Sequence, residues 1–139
     1  MISTKYILMA AVIIVLILVA LIVKRLRPRK LKVARFQDRW HVLQKMCANK
    51  DTWAAAIISA DKLLDEALKK KRFAGKTMGE RLTKAQRVLS DNEGVWFGHK
   101  LRSKLEADIA TPLKEADVKQ ALLGIRQALK DLGALSNDK

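Results

Sequence analysis

Between Ile7 and Val23 the chain carries no charged or polar side chain, and thirteen of these residues are Leu, Ile or Val. On an insertion scale those thirteen contribute about −4 to −8 kcal/mol toward entering a bilayer. As a helix rising 1.5 Å per residue the run reaches about 26 Å, slightly under the hydrocarbon thickness. A soluble core helix of this kind needs a protein large enough to cover it all round, and 139 residues do not offer one. A cleaved signal peptide has a shorter apolar region ending in a small-x-small site. Here Leu21, Ile22 and Val23 run straight into Lys24 and Arg25. The reading is therefore a transmembrane helix over residues 6–26, with Ile7, Leu8, Ile13, Leu16 and Val23 among its anchoring side chains. Tyr6 stands at one head-group belt, and Lys24 and Arg25 can snorkel at the other.

Charge gives the helix a direction. Lys5 stands alone before the apolar run, whereas Lys24, Arg25, Arg27, Arg29, Lys30, Lys32 and Arg35 follow it, and no acid occurs in the first 37 residues. The asymmetry predicts a single-pass membrane protein with its C-terminal part in the cytosol. The same seven residues are the expected contacts for anionic lipid head groups, each worth about 1 kcal/mol close to the surface. Pro28 is expected to end or kink the helix at the interface. The whole chain has a net charge of +14, but beyond Arg35 there are 20 basic and 14 acidic residues. The folded part is only mildly basic, so nucleic acid is an allowed but not a favoured partner.

Past Arg35 the apolar residues recur at period 3.6 and no useful strand alternation is found, which predicts an all-α chain: one transmembrane helix plus a compact bundle of about five short helices. Roughly 100 residues suffice for one modest core. The organisation expected is a short tail (1–5), the membrane helix (6–26), a basic linker (27–35), a bundle domain (36–135) and a frayed tail (136–139). The bundle helices are expected over Phe36–Ala48, Thr52–Arg72, Met78–Leu89, Glu93–Ile109 and Pro112–Leu132. Asp51 or Thr52 caps the second of these, with Trp53, Ile57, Ala60, Leu64 and Ala67 as its apolar stripe and Asp61, Lys62, Asp65, Glu66, Lys69 and Lys70 as its wet side. Thr77 and Glu80 have capping-box spacing. Ile109 is expected on the apolar face of the fourth helix. Thr111 and Pro112 are read as a cap and first turn of the fifth, followed by Ala116, Leu122 or Leu123, Ile125, Leu129 and Leu132 on its apolar face, and Gly133 as a stop.

The single cysteine, Cys47, cannot form an internal disulfide and reads as a small apolar helix residue in a reduced compartment. Trp40, Trp53 and Trp96 fall on apolar helix faces and read as core anchors. His41, His99 and Cys47 are too few for a zinc site, and no phosphate loop or nucleophile elbow is present. No metal and no cofactor are expected.

Two segments carry a resemblance. The first is WAAAIISADKLLDEAL (53–68) followed by GKTMGERL (75–82); the second is VWFGHKLRSKLEAD (95–108) followed by an amphipathic end in ALKDLGAL (128–135). Together they resemble a group of uncharacterised small bacterial helical proteins, and the second is similar to the Arg–His motif of HEPN-type domains, some of which are RNases and others inactive binding modules. The resemblance covers about two thirds of the chain and implies that the membrane is a bacterial plasma membrane. It matches Arg102 to the motif arginine and His99 to the histidine before it, with Ser103 where asparagine is preferred and Ala107 where the final histidine stands. RNA cleavage by proton transfer needs a group that titrates near neutrality, and Ala107 has none.

His99, Arg102 and Glu106 are thus the only catalytic candidates, and each has an alternative reading: a packing histidine, and an i,i+4 ion pair between Arg102 and Glu106. The expectation is a non-enzymatic, membrane-anchored cytosolic interaction or adaptor module that holds a protein partner or a second copy of itself. The alternatives are a HEPN-like RNA-binding protein or RNase, and a protein of the anionic lipid surface.

Overall fold

The computed structural model describes residues 3–27 and 30–137. The helices are α1 (Thr4–Leu26), α2 (Val33–Met46), α3 (Trp53–Lys70), α4 (Met78–Ala85), α5 (Asn92–Ala107) and α6 (Glu115–Asp131), with one 3-10 turn (Lys50–Thr52) ahead of α3; no strand occurs among the described residues. The chain is all-helical: one long apolar helix followed by a bundle of five.

The α1 helix is long and apolar enough to cross a membrane, and none of its residues is buried against the bundle. Arg27 leaves it in extended backbone, as a residue preceding proline must. Pro28 itself and Arg29 lie outside the described residues.

In the bundle, α3 is the central element, packed by α2, α4, α5 and α6. Its buried side chains, Ala56, Ile57, Ala60, Leu63, Leu64, Ala67 and Leu68, form a band wider than a single stripe because neighbours surround it. Phe36, Trp40 and Leu43 bring α2 onto it, and Met78, Leu82 and Ala85 bring α4. A smaller cluster of Ile57, Leu105 and Val118 lies toward the end of α5.

The α5 and α6 helices cross at their glycines. A Cβ on Gly124 would collide with the carbonyl of Gly94 and lie 2.8 Å from the Val95 nitrogen; one on Gly98 would lie 3.0 Å from the Ala121 carbonyl oxygen. Backbone meets backbone here, a distance that only glycine permits.

The caps follow local chemistry. The Thr77 hydroxyl accepts the Glu80 N–H (3.2 Å), while the Glu80 carboxylate accepts the N–H of Lys76 (2.6 Å), one residue before the box position. Asp91 accepts the Gly94 N–H (2.9 Å) at the start of α5. Thr52 is the residue before α3, and its hydroxyl donates back to the Asn49 and Met46 carbonyls.

Several expectations are corrected. Asp61 is not on a wet side: it is 0% exposed. The α4 helix stops at Ala85, although Leu89 is still buried beyond it. Ile109 lies past the end of α5 and is exposed. The last helix begins at Glu115, not Pro112, because the Thr111 hydroxyl turns back to the Asp108 carbonyl (2.6 Å) and Leu113 packs on the smaller cluster from non-helical backbone. Ala116 is therefore exposed and Val118 takes the core position. Leu122 packs inward, whereas Leu123 faces out.

Candidate functional site

Two of the three candidate residues, His99 and Arg102, converge on one acid expected on the wet side of α3, and the third, Glu106, pairs with Arg102. His99 and Arg102 stand three residues apart on one face of α5, and that face meets α3 at Asp61. Arg102 donates from Nε to Asp61 Oδ2 (2.6 Å), and its Nη1 reaches the Glu106 carboxylate one turn on. His99 Nδ1 lies 3.1 and 3.3 Å from the two Asp61 oxygens. A carboxylate only accepts, so Nδ1 carries the hydrogen and Nε2 is left as the basic nitrogen of the neutral ring. Trp96, one turn back, meets the His99 ring edge-on at 5.8 Å between centroids.

The cluster is mostly closed: the His99 side chain is 14% exposed and that of Arg102 is 21%. Burial pulls the Arg102 guanidinium toward a lower pKa, but the hydrogen bonds and charges of Asp61 and Glu106 outweigh it and hold the group above the ordinary arginine value. Arg102 is therefore a fixed cation. Chemically the arrangement can lock α5 onto α3, and it can orient one imidazole with a cation beside it.

No protein-family model, curated protein or solved structure matches this chain.

A second ionic cluster braces the neighbouring turn of α3. The buried Arg81 of α4 spans both oxygens of Asp65 (2.7 and 3.0 Å) and the Gly75 carbonyl (2.8 Å). Burial pushes the Asp65 carboxyl up, yet Arg81 and Lys69 bring it below its ordinary value. The Arg39 guanidinium grips Glu66 from α2, and this hydrogen bond lowers the Glu66 carboxyl as well. Among the described residues no group of three metal-ligating side chains is assembled.

The expected lipid contacts lie where the chain leaves α1. Lys24 and Arg25 occupy its last turn, Arg27 follows, Lys30 and Lys32 are exposed ahead of α2, and Arg35, expected in the linker, is exposed in the first turn of α2, which begins at Val33. Ile7, Leu8, Ile13, Leu16 and Val23 are all exposed along α1. His41 is exposed beside Gln44 (3.1 Å), and Cys47 is half-buried at the end of α2, its thiol directed at the Leu43 carbonyl (3.2 Å) and pushed up in pKa by burial. Trp40 is buried; Trp53 and Trp96 are partly covered, with Trp53 Nε1 donating to the Cys47 carbonyl (2.9 Å). An open groove of about 340 Å³ runs between α2 and α6, lined by Trp40, Leu43, Cys47, Leu122 and Leu123. Trp40 Nε1 has no hydrogen-bond partner among the described residues.

Asp61 and Arg81 are what the sequence reading missed. The signal was present: Asp61 stands four residues after Ile57, three before Leu64 and seven before Leu68, on the apolar stripe itself. An acid at such a position requires a buried cation, and Arg102 supplies it.

Proposed function

We propose that this chain is a single-pass, membrane-anchored adaptor of the bacterial plasma membrane, with its helical bundle on the cytosolic face and no catalytic activity. The observation that carries the reading is α1: an uninterrupted apolar helix whose side chains find no cover in the bundle and whose natural cover is lipid. The basic residues from Lys24 to Arg35 supply the cytosolic orientation and the anionic-lipid contact. The absence of catalysis is supported by Ala107, which cannot exchange protons, at the position where the resemblance has its final histidine. An interaction role is supported by the groove between α2 and α6, with exposed Leu123 at its edge.

The test is capture from detergent-solubilised membranes with the full-length chain. A partner or a second copy should be recovered, and Leu123→Glu should lose it. Recovery of neither removes the adaptor reading.

One observation favours a second reading, a HEPN-like RNA-binding protein or RNase: Asp61 holds His99 in the tautomer whose Nε2 is basic, with Arg102 alongside. On that reading the full-length protein binds or cleaves RNA at low salt, and His99→Ala and Arg102→Ala abolish it. No binding and no cleavage at low salt disposes of it.

A further inference from the structure

The α3 and α6 helices end in the same way with different residues. In α6 the N–H of Ala134 returns to the Leu129 carbonyl (2.8 Å) and that of Gly133 to Lys130 (2.9 Å), with Gly133 at φ 78. In α3 the N–H of Phe73 returns to the Leu68 carbonyl (3.1 Å) and that of Arg72 to Lys69 (3.0 Å), with Arg72 at φ 64. Both are Schellman motifs, in which the left-handed position favours glycine. Arg72 is the only non-glycine residue with positive φ among those described. A side chain held in an unfavourable backbone conformation points to a use for that side chain.

Both helix ends border one cleft of about 400 Å³. Lys71 and Arg72 line it just past the end of α3, Phe73 and Leu132 give it apolar wall, and exposed Val88 is also part of its lining. Leu26, the last residue of α1, also lines it. Asp131 is the one acid in the lining, and its oxygens are occupied by Ser90 (2.8 Å) and Gln127 (3.0 Å). The cleft thus combines two cations, an apolar wall and the end of the membrane helix.

We propose that this cleft seats an anionic phospholipid, with its phosphate on Lys71 and Arg72 and its upper acyl region against Phe73, Val88 and Leu132. The inference rests on the reading of α1 as a membrane span, which sets Leu26, and with it the cleft, at head-group depth. It adds to the linker a second membrane contact, formed by the bundle itself, that fixes how the bundle faces the bilayer.

The test uses the full-length chain in nanodiscs of phosphatidylcholine with and without phosphatidylglycerol, carrying a photoreactive benzoyl-phenylalanine at Val88 or, as a control, at the exposed Val42. The expected result is a phosphatidylglycerol adduct at Val88 and not at Val42, reduced several-fold by Arg72→Gly and restored by Arg72→Lys. Arg72→Gly should melt at or above the wild-type temperature, which separates a lost contact from a lost fold. A chain that stays in the disc but gives no adduct at Val88, or an adduct indifferent to Arg72 and to lipid charge, overturns the proposal and leaves the anchor standing. A chain that does not stay in the disc overturns both.

Discussion

Asp61 occupies a position on α3 where the helical period calls for an aliphatic side chain. Its carboxylate is out of water, and Arg102 and His99 replace that water. Such a cluster adds specificity more surely than net stability, since desolvation consumes much of the Coulomb gain, but removing one partner leaves the other without compensation. Asp61→Ala is therefore expected to cost about 3 kcal/mol, read by urea unfolding of the full-length protein in detergent. Asp61→Asn, which keeps an acceptor for Arg102, should cost less. Equal stability of Asp61→Ala and wild type would show that the cluster does not hold α5 on α3. In the sequence, His99 and Arg102 stand out only through the resemblance that singles them out, and Glu106 through its i,i+4 spacing from Arg102. The acid that His99 and Arg102 share is not legible there, because Asp61 lies 38 residues from His99 along the chain and local periodicity carries no information about which acid will be opposite.

At the scale of elements, the five bundle helices were legible from period, caps and breaks, and errors gathered where tertiary packing overrode a local signal. Thr111 and Pro112 have the residue types of a helix start, yet Leu113 is drawn to the cluster around Ile57 and helix formation waits until Glu115. The α5–α6 crossing was invisible for the same reason: nothing near Gly94 or Gly124 reports that the two backbones meet. In an exposed helix Gly124→Ala would gain about 1 kcal/mol of helix propensity. Here the added methyl group meets backbone that cannot yield, so the variant is expected to lose about 3 kcal/mol or more, measured by thermal unfolding. A neutral or stabilised variant would mean the helices cross elsewhere.

The ion pairs that brace α3 against α2 and α4 give a pH dependence with a definite sign. Asp65 and Glu66 have folded pKa values below their unfolded ones. Their stabilisation is complete above the unfolded range and is lost as pH falls through the lowered folded values. The melting temperature of the full-length protein should hold down to about pH 5 and fall below about pH 4. Arg81→Ala should shrink that fall. A melting temperature flat from neutral to acid would count against both pairs.

The whole molecule divides its apolar residues between two segments of different character. The bundle buries its own apolar residues around α3, while α1 presents apolar side chains on every side. Basic residues are gathered in the linker between the two. That division was the part of the molecule most fully legible in the sequence, because it rests on composition and not on contacts.

The proposed function stands or falls with α1 lying across the bilayer and the bundle in the cytosol. The direct measurement is alkaline extraction of cell membranes followed by protease digestion of spheroplasts and of inverted vesicles, with the bundle followed by a C-terminal tag. The expected result is that the protein stays in the alkaline-washed membrane, that spheroplasts protect the bundle and that inverted vesicles lose it. Release of the full-length chain by alkali, or digestion of the bundle from the spheroplast side, would contradict it.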